Sequence, residues 1–158
     1  MAEIRNATVD DIPVLMSMGR ALHAESPRYS YLSYSDEKVE RLIRSMVEDT
    51  LVAEAPGGVV VAVKDGIVVG MIGGFVTSPF FSDDKIASDY TFYVKPEHRG
   101  TGRVALRLIQ AFEQWAIAQG VRDIVPGTST LIDAEGTAAL YRHLGYEMHG
   151  YIFKKRVS

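Results

Sequence analysis

Tyr93-Val94-Lys95-Pro96-Glu97-His98-Arg99-Gly100-Thr101-Gly102-Arg103 decides how this chain is read. A run of strand formers, Tyr90 to Val94, stops at a proline, passes through Arg-Gly-Thr-Gly and enters a long amphipathic segment. The apolar positions of that segment, Ala105, Leu108, Ile109, Phe112, Trp115 and Ala116, recur at helical spacing. They predict a helix over Thr101 to Gln119, with Gly120 as its stop. The first N–H groups of a helix have no acceptor inside it, and its dipole adds partial positive charge there. Glycines in the turn let the backbone approach an anion with no Cβ in the way. Strand, glycine turn and helix start together predict a phosphate cradle.

Upstream, Glu3 to Ala7 reads as a short strand, and Thr8 with Asp11 makes a capping-box-like start to a helix. Ile12, Leu15, Met16, Gly19 and Leu22 carry that helix until Ser26-Pro27 ends it. A loop with three tyrosines, Tyr29, Tyr31 and Tyr34, follows. Ser35 is then placed to cap a second helix with the stripe Val39, Leu42, Ile43, Met46 and Val47. Leu51 to Ala55, with or without continuation through Val59 to Val63, and Ile67 to Val76 read as strands. Asp65-Gly66 is a hairpin turn between the latter two. Gly70, Gly73 and Gly74 inside a strand point to a bulge or to close approach of another chain or a ligand. Phe80 and Phe81 lie in a loop, and Ile86 to Val94 is the next strand.

Downstream, Asp123 to Ser129 reads as a strand bent by Pro126-Gly127. Asp133 caps a last helix, Ala134 to Leu144, which Gly145 ends. Tyr146 to Val157 has the composition of one or two final strands. No repeat, linker or low-complexity segment interrupts the order, so residues 1–158 are expected to form one α/β domain.

The bulk composition narrows the chemistry. The 158 residues are 47% hydrophobic and 23% charged, as in an ordinary globular protein. The absence of cysteine removes disulfides, thiol catalysis and thiolate metal sites. A net charge of −3 gives no overall electrostatic case for nucleic acid. Met1-Ala2-Glu3-Ile4-Arg5 lacks the basic-then-apolar pattern of a signal peptide. No apolar run approaches the roughly 20 residues of a membrane helix. A cytoplasmic protein without membrane or nucleic-acid partners is expected, and histidine spacing suggests no metal site.

The element order and two motifs resemble the GNAT N-acetyltransferase superfamily. One motif is Val94-Lys95-Pro96-Glu97-His98-Arg99-Gly100-Thr101-Gly102. The other is Leu140-Tyr141-Arg142-His143-Leu144-Gly145-Tyr146, similar to the family's Leu-Tyr-x-x-x-Gly-[Phe/Tyr] ending. The resemblance covers nearly the whole chain. It is also similar to a branch common among phage and prophage proteins. It implies a three-layer α/β fold, with a mostly antiparallel sheet of six to seven strands flanked by about four helices. It implies acetyl-CoA as cosubstrate, a primary amine of a small molecule or peptide as acceptor, and a possible homodimer through the final strands. The turn from Arg99 through Gly100, Thr101, Gly102 and Arg103 to Val104 would hold the pyrophosphate. Phe92, Tyr93 and Val94 would pair with the pantetheine amides as an extra strand would. Three positions depart from the family pattern: Glu97, Val104 and Ala134.

Acyl transfer needs a neutral amine and an acid for the departing thiolate. The resemblance gives Tyr141 the acid's role; without it, a core tyrosine is the plainer reading. Asp89 is an acid on a strand otherwise rich in apolar and aromatic residues, so it is the candidate base; a salt-bridged edge carboxylate is the alternative. Glu25 is a second candidate, and a base acting only through water is a third. The resemblance implies that Tyr29 and Tyr31 form part of an acceptor wall for an aromatic or cationic group; ordinary packing of the loop on the core is the alternative. Arg28 beside them would hold an acceptor carboxylate, unless it is simply a surface charge. Ser129 makes no serine triad, because no Gly-x-Ser-x-Gly elbow exists. Neither a Walker loop nor a dinucleotide fingerprint is present. The function expected is direct acetyl transfer, since no cysteine can carry the group. The alternative is a silent acyl-CoA-binding module of the same fold.

Overall fold

The computed structural model describes residues 1–48 and 57–158. The expected strand at Leu51 to Ala55 falls outside the described residues. The strands are β1 (Glu3–Asn6), β2 (Gly57–Lys64), β3 (Ile67–Thr77), β4 (Ile86–Val94) and β5 (Asp123–Val125). The helices are α1 (Ile12–Glu25), α2 (Asp36–Val47), α3 (Arg103–Ala118) and α4 (Ala134–His143). The strands form one sheet in sequence order, antiparallel from β1 to β4 and parallel between β4 and β5.

Alternation along β2 builds the layers. Val60 and Ala62 point to the face covered by α3, where they meet Leu108, Ile109 and Phe112. Val59 and Val61 point to the other face, against Leu15 and Met18 of α1 and Ile43 and Met46 of α2. Both faces of the central strands are buried, so their sequences read as continuous apolar runs rather than as a strict alternation. The hairpin between β2 and β3 turns at Asp65 (φ 51°) and Gly66 (φ 76°). Both are left-handed, as a type I′ turn requires. The mixed sheet between helical layers is the α/β fold expected.

The strand count is lower than expected: the sheet has five strands among the described residues, not six to seven. The segment from Tyr146 to Val157 forms no strand. α4 ends at Gly145 (φ 89°), and a second left-handed glycine, Gly150 (φ 98°), breaks the extended run in its middle. Residues 147–158 are exposed. They are tethered where Lys154 Nζ donates to the Arg28 carbonyl at 2.7 Å. β5 is also shorter than expected, because Pro126 has no N–H to continue a ladder. α3 starts at Arg103 rather than Thr101, because Gly102 adopts a left-handed conformation as its N-cap.

One irregularity shapes the sheet. Gly73 faces Thr91, but Gly74 faces Asp89, so Tyr90 is an extra residue in β4. A Cβ on Gly74 would overlap the Ser88 carbonyl oxygen and lie 2.7 Å from the Phe112 ring. Glycine is therefore required for β3 and β4 to close at the bulge, and a bulge adds local twist. Gly74→Ala is expected to cost about 1–3 kcal/mol through overpacking. For a chain of this length that is a fall in Tm of roughly 2–12 °C. A thermal melt with unchanged Tm would contradict this close approach.

Candidate active site

β4 pairs with β3 along its whole length but with β5 only from Ile86 to Ser88. Beyond Ser88 the two strands diverge. Two local causes act together: the bulge twists β4 at Tyr90, and Pro126 stops β5. At the fork, Gly127 N–H donates to Asp89 Oδ1 at 3.0 Å, so a side chain takes over where the ladder ends. A cleft of about 370 Å³ opens past this point. Its walls are β4 from Asp89 to Val94, the turn from Arg99 to Gly102, the loop from Gly127 to Thr130, and the face of α4 that carries Thr137 and Leu140. The β4 edge facing it has lost its strand neighbour, and such an edge can accept another extended chain.

The mouth of the cleft is the start of α3. Gly102 N–H donates to the Arg99 carbonyl at 2.7 Å, and Leu106 N–H makes the first helical bond to Gly102 at 2.9 Å. Arg103, Val104 and Ala105 N–H groups therefore have no acceptor within the helix. Gly100 (φ 24°) and Gly102 (φ 77°) hold conformations that disfavour side chains, and a Cβ at Gly100 would meet nothing within 4 Å. Open ground in front of unpaired N–H groups suits a phosphate. Glu97 is exposed and outside the cleft wall. Val104 packs its side chain against the core, and the Arg103 side chain is exposed. Ala134 is half-buried and also outside the wall.

No local sequence pattern reports where the Arg99 side chain is held. Its Nε donates to the Val94 carbonyl at 2.8 Å, Nη2 donates to Glu25 Oε2 at 2.8 Å, and Nη1 donates to Glu25 Oε1. Tyr93 hydroxyl donates to the same carboxylate at 3.2 Å. This arrangement ties the end of α1 to the end of β4 and to the glycine turn. Glu25 is thus bound to Arg99 rather than free in the cleft. The guanidinium beside it, helped by Tyr93, holds its carboxyl below the ordinary carboxylate range against the opposing effect of burial.

Asp89 is a half-buried carboxylate, and desolvation raises its pKa while the Gly127 N–H restrains the rise. Tyr141 is only 6% exposed. It packs on Tyr146 with ring centroids 5.3 Å apart, and its buried hydroxyl has no hydrogen-bond partner among the described residues. Burial pushes its pKa far above the ordinary phenol value, and the Asp89 charge adds to the shift. Leu140, one position earlier on α4, lines the cleft while Tyr141 lies behind that wall.

Arg28, Tyr29 and Tyr31 stand behind the far end of the cleft rather than in its walls. Arg28 Nη1 donates to the Ser129 carbonyl at 3.4 Å, and Ser26 Oγ donates to the Thr130 carbonyl at 2.6 Å. The loop after α1 is thereby joined to the loop after β5. That second loop and Thr137 are wall residues that the sequence reading did not assign. The run Pro126-Gly127-Thr128-Ser129-Thr130 after a strand was their available signal. Among the described residues, no group of three or more His, Asp or Glu side chains could hold a metal ion.

The Glu25–Arg99 pair has a pH signature. A carboxyl with a lowered folded pKa stabilises the fold above its ordinary pKa and loses that contribution as pH falls through the folded value. The pair is about one-third exposed, so solvent screens it. Glu25→Gln is expected to lower Tm by a few degrees at pH 7, with the gap from the native protein narrowing toward pH 3. An equal gap at both pH values would show that the pair carries no such linkage.

Comparison with known proteins fits this geometry. A family model described as Acetyltransferase (GNAT) family matches residues 19–146. No curated protein matches the sequence. Among solved structures, AAC(6')-Iy in complex with the bisubstrate analogue CoA-S-monomethyl-acetylneamine aligns with a TM-score of 0.74 at 17% identity, covering 100% of this chain and 99% of that one. A predicted acetyltransferase from Clostridium acetobutylicum, solved with acetyl-CoA, aligns with a TM-score of 0.72 at 15% identity, over 99% and 96% of the two chains. An aminoglycoside acetyltransferase from an uncultured soil metagenomic sample, in complex with sisomicin, aligns with a TM-score of 0.69 at 17% identity, over 99% and 97%. At these identities the structural likeness speaks for the fold, while the family match covers most of the chain. The chain belongs to the GNAT acetyltransferase family, as an N-acetyltransferase that takes acetyl-CoA as its donor.

Proposed function

We propose that this protein transfers the acetyl group of acetyl-CoA directly to a primary amine, with both substrates bound together. The observation that carries the reading is the junction of the open β4 edge, Asp89 to Val94, with the unpaired N–H groups at the start of α3. An extended amide chain fits the first and a pyrophosphate fits the second. Acetyl-CoA supplies the activated thioester, and the acetyl carbon passes from sulfur to the amine nitrogen. The backbone from Gly100 to Val104 would bind the diphosphate, and Phe92 to Val94 would orient the pantetheine arm.

Two side chains would move protons. Asp89 Oδ1 is held by Gly127 N–H, which leaves Oδ2 to take the proton of the acceptor ammonium, directly or through water. Its raised pKa brings it closer to the pH at which a base works well. Tyr141 hydroxyl lies behind Leu140, kept protonated by burial and by Asp89; a small shift of α4 on acetyl-CoA binding would bring it to the cleft to donate to the departing thiolate. No cysteine can carry the acetyl group, which supports transfer in a ternary complex.

Thiol release from acetyl-CoA, followed across a panel of amines, tests the reading. Initial rates against both substrates should give intersecting rather than parallel reciprocal plots. Tight CoA binding by calorimetry with no turnover on any amine would instead support a silent acyl-CoA-binding module. Tyr141→Phe should lower kcat by about 10-fold or more, toward the roughly 100-fold typical of a general acid, with CoA affinity unchanged. An unaltered kcat removes Tyr141 from the acid's role. Asp89→Asn preserves an acceptor for Gly127 N–H and should abolish the acidic limb of the kcat/KM profile. That limb should lie above the ordinary carboxylate range in the native enzyme. If the limb persists in the variant, another group is the base.

A further inference from the structure

The acids around the cleft are all engaged. Asp89 accepts from Gly127 N–H, and Asp133 Oδ1 accepts from Gly136 N–H at 3.2 Å. Glu25 is neutralised by Arg99. At the far end Arg28 and Lys154 meet backbone carbonyls, and neither has an ion-pair partner of the kind Glu25 has among the described residues. Arg28 has no carboxylate partner among the described residues. Among the described residues its Nε is buried without a hydrogen-bond partner, and its guanidinium makes one hydrogen bond, the long 3.4 Å contact to the Ser129 carbonyl. Ser129 lines the cleft, so this under-used guanidinium stands directly behind the rim. It is braced over the Tyr29 ring at 5.1 Å.

The tail adds charge at the same place. Lys154 Nζ donates to the Arg28 carbonyl and lies 4.3 Å from the centroid of the Tyr31 ring. It too has no carboxylate partner among the described residues. Arg156 also lies over Tyr31 at 4.1 Å, with Nε turned to the Ser158 oxygen at 3.0 Å. A buried guanidinium nitrogen without an acceptor is unfavourable until one arrives. The planar guanidinium matches a carboxylate through two parallel N–H···O bonds. A polycation would meet like charge at the same rim.

We infer that the acceptor is an amine that also carries a carboxylate, as a free amino acid does. Arg28 holds the carboxylate and Lys154 reinforces its field, with the amine directed toward Asp89. This rests on the acetyl-transfer reading. Arg28 is therefore a specificity determinant that rejects polyamines and accepts zwitterions.

The test uses amino acids, each paired with its decarboxylated amine, such as phenylalanine with phenethylamine and tyrosine with tyramine, and spermidine as a polycation. The expected ratio of kcat/KM, carboxylated over decarboxylated, is tenfold or more. Arg28→Met should bring that ratio toward one by raising KM for the carboxylated member, and Arg28→Lys should restore part of it. The variant separates recognition from the lower basicity of an amino acid's amine. Preference for the bare amines or spermidine, or a ratio unmoved by Arg28→Met, overturns the inference. If no amine turns over, it is acetyl transfer that has failed. Calorimetry of the CoA-loaded protein then decides the carboxylate site: N-acetylphenylalanine should bind, N-acetylphenethylamine should not, and Arg28→Met should abolish the difference. Equal binding, or none, overturns it.

Discussion

The extra residue that Tyr90 inserts into β4, opposite Gly73 and Gly74, is the constraint on which the cleft depends. A regular ladder would let β4 and β5 run on together and close the space between them. The bulge turns β4 away just as Pro126 removes the next donor from β5. Neither device alone accounts for the gap. A bulge can be followed by renewed pairing, and a proline can end a strand without separating its neighbour. Together they leave six residues of β4, Asp89 to Val94, along a cleft that ends at a helix start.

A second interaction keeps that geometry coherent. The two nitrogens that Arg99 presents to Glu25, and its Nε on the Val94 carbonyl, fix the turn to both β4 and α1. The side chain nearest the phosphate cradle therefore serves to hold the backbone in position rather than to offer charge. In the proposed reading, glycine and unpaired N–H groups would carry the anion-binding task. This division explains how the site tolerates Glu97, which points into solvent, and Val104, whose backbone faces the cradle while its side chain packs on the core.

Much of the fold was legible because it is written in local periodicity. Ile86 to Val94, the α3 stripe and the Asp65-Gly66 turn are found where their sequences place them. The glycines of β3 announced the close approach that Gly74 makes. The tail shows where composition misleads: Tyr146 to Val157 is rich in strand formers, but a strand exists only with a partner, and Gly150 interrupts the run. The partnership of Glu25 with Arg99 joins residues far apart in sequence, so no local pattern reports it. The facing of Tyr141 is of the same kind. One helical step separates the wall residue Leu140 from the buried Tyr141, and only the docked position of α4 decides which lines the cleft.

The central claim is that the open β4 edge and the start of α3 form one binding surface for acetyl-CoA. Backbone amide hydrogen exchange, measured with and without CoA, reads it at the atoms concerned. The account predicts slowed exchange at Tyr90 to Val94 and at Gly100 to Ala105 in the same complex, with little change in β1 and β2. Binding of CoA that leaves both segments unprotected, or that protects a surface elsewhere, would contradict it.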